Sequence, residues 1–194
     1  MIPFALQHGG LGRGGFTGYM STLVDNFSTN TIANYGQTAD TSTTWTISGG
    51  GISVSGGLQS LLYHSAVSTV NARVSVTTGN AYDAGLALRV NGNTHYLLAI
   101  SSEAYTPSPQ VARIYKRISG TYTDLTGAIS ITWPSGITKL VEFEAQGSSL
   151  RAYLEGALIA SISDGSISAA GYCAMRHAGS GAFTNNFDNF TIRY

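Results

Sequence analysis

A chain of 194 residues is long enough to bury a sizeable core, yet only 10% of its residues are charged, 24 are glycine, and ten basic groups balance ten acidic ones. No general field is left to attract nucleic acid or an anionic membrane. Weak surface charge also gives little protection against association, so a subunit of an assembly is favoured over a freely diffusing monomer. Cys173 is the one cysteine, which excludes an internal disulfide and a thiolate metal cluster. Its apolar setting, Gly171-Tyr172-Cys173-Ala174-Met175, marks it for the core as a small hydrophobe.

Residues 1–22 read as a Gly-rich docking arm. Gly9, Gly10, Gly12, Gly14, Gly15 and Gly18 separate Leu11, Arg13, Phe16 and Tyr19, and no period of 2 or 3.6 survives. So many glycines make an isolated fold costly in entropy. The apolar side chains of Phe4, Leu6, Leu11, Phe16 and Tyr19 are nonetheless odd for a solvated linker. Lying in a groove of a neighbouring subunit accounts for both facts; a disordered leader is the alternative. Ile2 to Leu6 is too short for a secretory h-region, and no segment is long enough to span a bilayer, so folding in a cytoplasm without membrane insertion is expected.

From Leu23 to the end the pattern is strand, turn, strand. Thr43 to Ile47 alternates and stops at Ser48-Gly49-Gly50-Gly51; Ile52-Ser53-Val54 stops at Gly56-Gly57. Leu61-Leu62-Tyr63 and Ala72 to Val76 follow. Leu86 to Val90, Asn91-Gly92 and Asn93 to Ile100 form a hairpin whose Asn-Gly predicts a type I′ turn. Pro107 and Pro109 place 101–109 in a loop. Val111 to Ile118 turns at Ser119-Gly120 into Tyr122 to Leu125, and Lys139 to Ala145, Leu150 to Leu154 and Leu158 to Ile162 follow as further strands. The last stretch, Phe187-Asp188-Asn189-Phe190-Thr191-Ile192-Arg193-Tyr194, repeats the early triplet Asp25-Asn26-Phe27. Period 2 puts Asp and Phe of each triplet on one face, and the repeat predicts first and last strands lying together as a seam. About a dozen turn-linked antiparallel strands predict an all-β, two-sheet jelly-roll sandwich over residues 23–194.

The opening Val24-Asp25-Asn26-Phe27, the strand end Trp45-Thr46-Ile47-Ser48-Gly49-Gly50, the Leu86 to Ile100 hairpin and the closing Phe187 to Ile192 stretch together resemble the concanavalin A-like lectin/glucanase superfamily in its laminin-G-like branch. That resemblance covers residues 23–194 by pattern, with no single diagnostic motif. It implies a lectin, a carbohydrate-binding module, a glycosidase or a structural domain of bacteriophage tail and capsid proteins. The low charge, Gly-rich arm, lone cysteine and missing signal are most similar to the phage members.

Chemistry is sparse. The glucanases of the superfamily carry Glu-x-Asp-x-x-Glu on one strand, and this chain has no match. Glu142 and Glu144 share a strand face, but Val141, Phe143 and Ala145 take the core side, which leaves the glutamates on an expected solvated face. No catalytic residue is therefore assigned. His8, His64, His95 and His177 have no i,i+2 or i,i+4 partner, so each is expected on the surface or in hydrogen-bonded packing, and no metal or other cofactor is assigned; calcium has no clustered acids to support it. Asp25 and Asp188 are read as separate turn caps. No Gly-x-Ser-x-Gly elbow occurs.

Binding is better represented. Val111, Arg113, Tyr115 and Arg117 share one strand face, and a tyrosine between arginines suits either a sugar ring or a protein partner; a solvated face is the alternative. Tyr82, Tyr105, Tyr122 and Trp133 lie in or near loops, and Tyr105 joins the expected ligand-binding set. Trp45 is assigned to the core. The leading expectation is a non-enzymatic virion subunit (tail, baseplate or capsid decoration). It is anchored by its arm to other virion proteins or to copies of itself. The first alternative is a module recognising host surface glycan, and a weaker one is a glycoside hydrolase.

Overall fold

The computed structural model describes residues 18–39, 43–56, 60–79, 84–102, 110–134, 137–178 and 187–194. Sixteen strands follow one another: β1 (Thr22–Asp25), β2 (Tyr35–Ala39), β3 (Thr44–Ser48), β4 (Gly51–Ser55), β5 (Ser60–Thr69), β6 (Ala72–Thr78), β7 (Ala84–Asn91), β8 (Thr94–Ser102), β9 (Gln110–Ile118), β10 (Thr121–Asp124), β11 (Ile129–Ser130), β12 (Lys139–Gln146), β13 (Ser149–Leu154), β14 (Ala157–Ser163), β15 (Gly171–His177) and β16 (Phe187–Arg193). A 3-10 turn, Ile32–Asn34, leads into β2. The first sheet runs β14-β13-β12-β6-β16-β4-β3 with β1 added on β16, and the second runs β10-β9-β8-β7-β15-β5-β2 with β11 added on β9. All pairings are antiparallel. This is the expected two-sheet sandwich.

Alternation explains the layers. In β12, Val141, Phe143 and Ala145 enter the core; in β8, Tyr96, Leu98 and Ile100 meet them from the other sheet. Cys173 and Met175 join that core from β15, and burial pushes the Cys173 thiol up to about 12. Trp45 is core as expected, its indole N–H donating to Ser60 Oγ at 3.0 Å. Trp133, expected among loop recognition residues, is core instead: it is buried and donates to the Ile137 carbonyl at 2.7 Å.

The seam exists. Thr22 to Asp25 pair with Arg193 to Phe190, and the backbone continues with Met20 N–H and Ser21 N–H donating to the Tyr194 carbonyl. The shared-face reading of the triplets is corrected. Phe187 and Phe190 are both buried, three residues apart, because Asn189 adopts φ 54 at a register shift in β16. That bulge adds a residue and returns Phe190 to the core. In the early triplet Phe27 has φ 53, and the Asp25 carboxylate accepts from Phe27 N–H at 2.9 Å, Thr31 Oγ1 at 2.6 Å and Tyr35 Oη at 3.0 Å. Asp188 accepts from Asn189 N–H. Each carboxylate serves its own turn.

The β7–β8 hairpin is also present, but Asn91 pairs with Thr94, so the turn residues are Gly92 and Asn93, and Gly92 has φ 54. The turn falls one residue later than Asn-Gly suggested. The cause lies upstream, where a register shift between Leu88 and Asn91 includes Arg89 at φ 55. The Arg89 guanidinium turns into the end of the sandwich, donating to the carbonyls of Val70, Ile167 and Gly147. One side chain thus ties together the β5–β6, β12–β13 and β14–β15 connections.

Candidate functional site

Each sheet has an outward face, and the two differ in chemistry. On the first sheet, register places Arg193, Arg73, Glu144 and Arg151 in one row, and Thr191, Ser75, Glu142 and Tyr153 in the next. Glu142 and Glu144 do point away from the core, but they are not solvated: they are 4% and 5% exposed. Arg73 contacts Glu142 directly and Glu144 at 3.7 Å, while Arg151 Nη1 donates to Glu144 Oε1 at 3.2 Å and Tyr153 Oη donates to Glu144 at 3.3 Å. The Arg73 guanidinium also lies 4.1 Å from the centre of the Tyr153 ring. Tyr19 reaches this cluster; its hydroxyl is buried, and burial followed by the Glu144 charge raises its pKa. The remaining arm residues Phe4, Leu6, Leu11, Arg13 and Phe16 lie outside the described residues.

The outward face of the second sheet is aromatic and cationic. One row runs across five strands as Tyr115, Leu97, Ala87, Ala174 and Tyr63, and ends on β2 at Gly36. A parallel row reads Arg113, Ala99, Gly85, Arg176, Leu61 and Thr38. Ala87, Leu97, Ala99, Ala174 and Leu61 make a buried apolar floor, and Tyr63, Tyr115 and Tyr172 pack on it half-exposed. Tyr63 stacks on Tyr172 with centroids 4.6 Å apart and planes 19° apart. Its ring crosses Gly36 so closely that a Cβ there would sit 2.3 Å from Tyr63 Cζ, so the missing side chain is what seats the ring. At the other end Tyr115 and Tyr122 meet edge to face at 6.0 Å. Four strand spacings separate Tyr63 from Tyr115, about 19 Å.

Beside Tyr115 a third row pairs Arg117 with His95 and Tyr122. Arg117 donates through Nε to the Gly120 carbonyl at 3.2 Å and lies 5.0 Å from the Tyr122 ring centre. His95 is fully buried with neither ring nitrogen hydrogen-bonded, against the expectation that each histidine would be surface or hydrogen-bonded. Burial, then the charges of Arg117 and Arg176, lowers its pKa to about 3. Arg113 lies 3.6 Å from Asp124.

Of the expected ligand set, Arg113, Tyr115 and Arg117 are therefore together and half-exposed on one face, opposite the buried Ala112 and Ile114. Tyr105 and Tyr82 lie outside the described residues. Tyr63, Tyr172, Gly36, Arg176 and His95 were not foreseen, although Leu61/Tyr63 and Tyr172/Ala174/Arg176 each recur at period 2. Away from this face, a cavity of about 270 Å³ lies among Val70, Asn71, Arg89, Gly147, Ser148, Gly165 and Ser168, where the guanidinium is already committed to three carbonyls. Among the described residues no three His, Cys, Asp or Glu side chains gather as a metal-holding group.

No protein-family profile matches the sequence, and no curated protein does. Solved structures match well in shape. The carbohydrate binding module CBM66 from Bacillus subtilis superposes with a TM-score of 0.68 at 17% identity, over 83% of this chain and 96% of that one. A Bacillus subtilis protein of unknown function with a galectin-like fold gives 0.64 at 10% identity, over 88% and 94%. The fold is a galectin-like jelly roll. The carbohydrate recognition domain of Emp47p shares it, with a TM-score of 0.59 at 8% identity over 94% of this chain and 99% of that domain. At such identities the likeness establishes the jelly roll, which agrees with the concanavalin A-like resemblance, and leaves function to the side chains.

Proposed function

We propose that this jelly roll is a non-catalytic carbohydrate-binding module whose ligand lies across the outward face of the second sheet. One observation carries the reading: tyrosine pairs stand at both ends of an apolar floor, with Gly36 left bare to seat one of them. Tyrosine rings offer flat apolar area and a hydroxyl at low entropic cost, which suits the faces and the hydroxyls of sugar rings. The likeness to a carbohydrate binding module and a carbohydrate recognition domain supports the same reading. Hydrolysis is disfavoured because Glu142 and Glu144, the one carboxylate pair on a strand face among the described residues, are engaged by Arg73 and Arg151.

The test is retention on immobilised and insoluble polysaccharides. Tyr63→Ala and Tyr115→Ala are each expected to weaken binding about tenfold, roughly the worth of one aromatic contact. Binding that ignores both substitutions places the ligand elsewhere. The setting in a bacteriophage particle, with the arm as anchor, rests on the sequence resemblance; removal of residues 1–17 tests it through assembly into particles or oligomers.

A further inference from the structure

We infer that the glycan is acidic: the Tyr115–Tyr122 end of the face takes a saccharide carboxylate or sulfate against Arg117 and His95. This rests on the carbohydrate-binding reading and adds the ligand's charge to it. Arg117 spends only Nε within the chain, on the Gly120 carbonyl. Its terminal amino groups make no hydrogen bond among the described residues, and no described carboxylate pairs with it. A guanidinium edge of that kind matches an oxyanion with two parallel donors.

His95 supplies the second, independent observation. It stands directly opposite Arg117 in the sheet, fully buried, with both nitrogens unpaired. Buried polar groups are ordinarily hydrogen-bonded, so an orphan of this kind signals a missing partner. Its surroundings identify the partner's sign: Arg117 from β9 and Arg176 from β15 both repel a proton on the imidazole, while Tyr122 from β10 meets it edge-on at 6.1 Å. The potential there favours an acceptor carrying negative charge. Tyr122 is the exposed member at 36%, and its ring is the part a ligand moves to reach the His95 N–H. On the opposite sheet, by contrast, Arg73 and Arg151 touch Glu142 and Glu144.

The experiment compares matched polymers by affinity electrophoresis and calorimetry on the full chain: dextran sulfate with dextran, and polygalacturonate with its methyl ester. At least one anionic member is expected to bind tenfold or more tighter than its neutral counterpart; the two pairs separate sulfate from carboxylate. Arg117→Gln is expected to remove that preference, and Arg193→Gln, the same charge change on the other sheet, to keep it. His95→Phe is expected to weaken anion binding while leaving the fold at least as stable. Neutral and anionic polymers bound alike overturn the inference and leave the carbohydrate reading standing. Equal losses in Arg117→Gln and Arg193→Gln also overturn it, as unspecific charge attraction. Failure of every polymer, neutral and anionic, removes both.

Discussion

Replacing His95 by Phe removes one buried donor and one buried acceptor while keeping an aromatic edge against Tyr122. An unsatisfied buried polar group costs about 1–3 kcal/mol, and one additional ring atom in a packed site returns part of that as strain. At pH 7 the variant is therefore expected to be more stable by about 1 kcal/mol. The larger effect appears in acid. His95 titrates at about 3 in the folded chain against an ordinary value of 6.5, so below pH 6.5 the unfolded chain binds a proton that the native one refuses. Native stability is then fully present above pH 6.5 and falls by up to ~1.4 kcal/mol per pH unit as acid is added, until the folded group itself titrates. At pH 4 the variant, which lacks this slope, is expected to lead by about 4 kcal/mol. His64 and His177 are also lowered, chiefly by burial, and keep their own acid sensitivity in both proteins, so the difference isolates His95. Urea unfolding at pH 7 and pH 4, followed by the fluorescence of buried Trp45 and Trp133, reads both numbers. Parallel acid losses in the two proteins would refute a neutral, unpaired His95.

Gly36→Ala is expected to leave the sheet intact, because the clash falls on the far end of the Tyr63 ring and not on backbone; a stability loss of about 1 kcal/mol, the value of the Tyr63–Tyr172 stack, should accompany a fall in glycan binding like that of Tyr63→Ala. Glu142→Ala leaves the Arg73 guanidinium its longer contact to Glu144 at 3.7 Å and its place over the Tyr153 ring, and since that side chain is 23% exposed, a loss of about 2 kcal/mol is expected in urea unfolding, below the full cost of a buried pair. Cys173, with its thiol pushed up to about 12 by burial, is about one part in ten thousand thiolate at pH 8; a disulfide-exchange reagent should leave native protein untouched and consume one thiol per chain in urea.

Local periodicity was enough to show where strands run and which side chains enter the core, because burial selects every second residue. Val141, Phe143 and Ala145 illustrate this, as do Ala112 and Ile114. Periodicity fails wherever the backbone inserts a residue. The left-handed conformations of Arg89 and Asn189 shift the register, moving a turn in one case and bringing a second phenylalanine inward in the other; asparagine tolerates positive φ better than most residues, but arginine gives no such sign. The site was half legible for a related reason. Arg113, Tyr115 and Arg117 are near in sequence and could be grouped by eye. Tyr63, Tyr172 and Gly36 join them only through strand order, β9-β8-β7-β15-β5-β2, which no local pattern encodes.

Outwardness and exposure are separate properties in this molecule, and that separation bears on function. Glu142 and Glu144 face away from the core yet are buried, because neighbouring strands bring arginines and Tyr153 over them. Charges held in this way are satisfied inside the protein and have little left to offer a ligand. His95 also faces outward and is buried, but neither of its ring nitrogens is hydrogen-bonded among the described residues. A chain that pairs Glu142 and Glu144 with arginines on one sheet while leaving an orphan imidazole beside a cation on the other offers a ligand hydrogen-bonding capacity at the Arg117 end of the second sheet. The same end carries Tyr115 and Tyr122, so one substitution at Arg117 should change which sugars bind without disturbing the aromatic platform at Tyr63 and Tyr172.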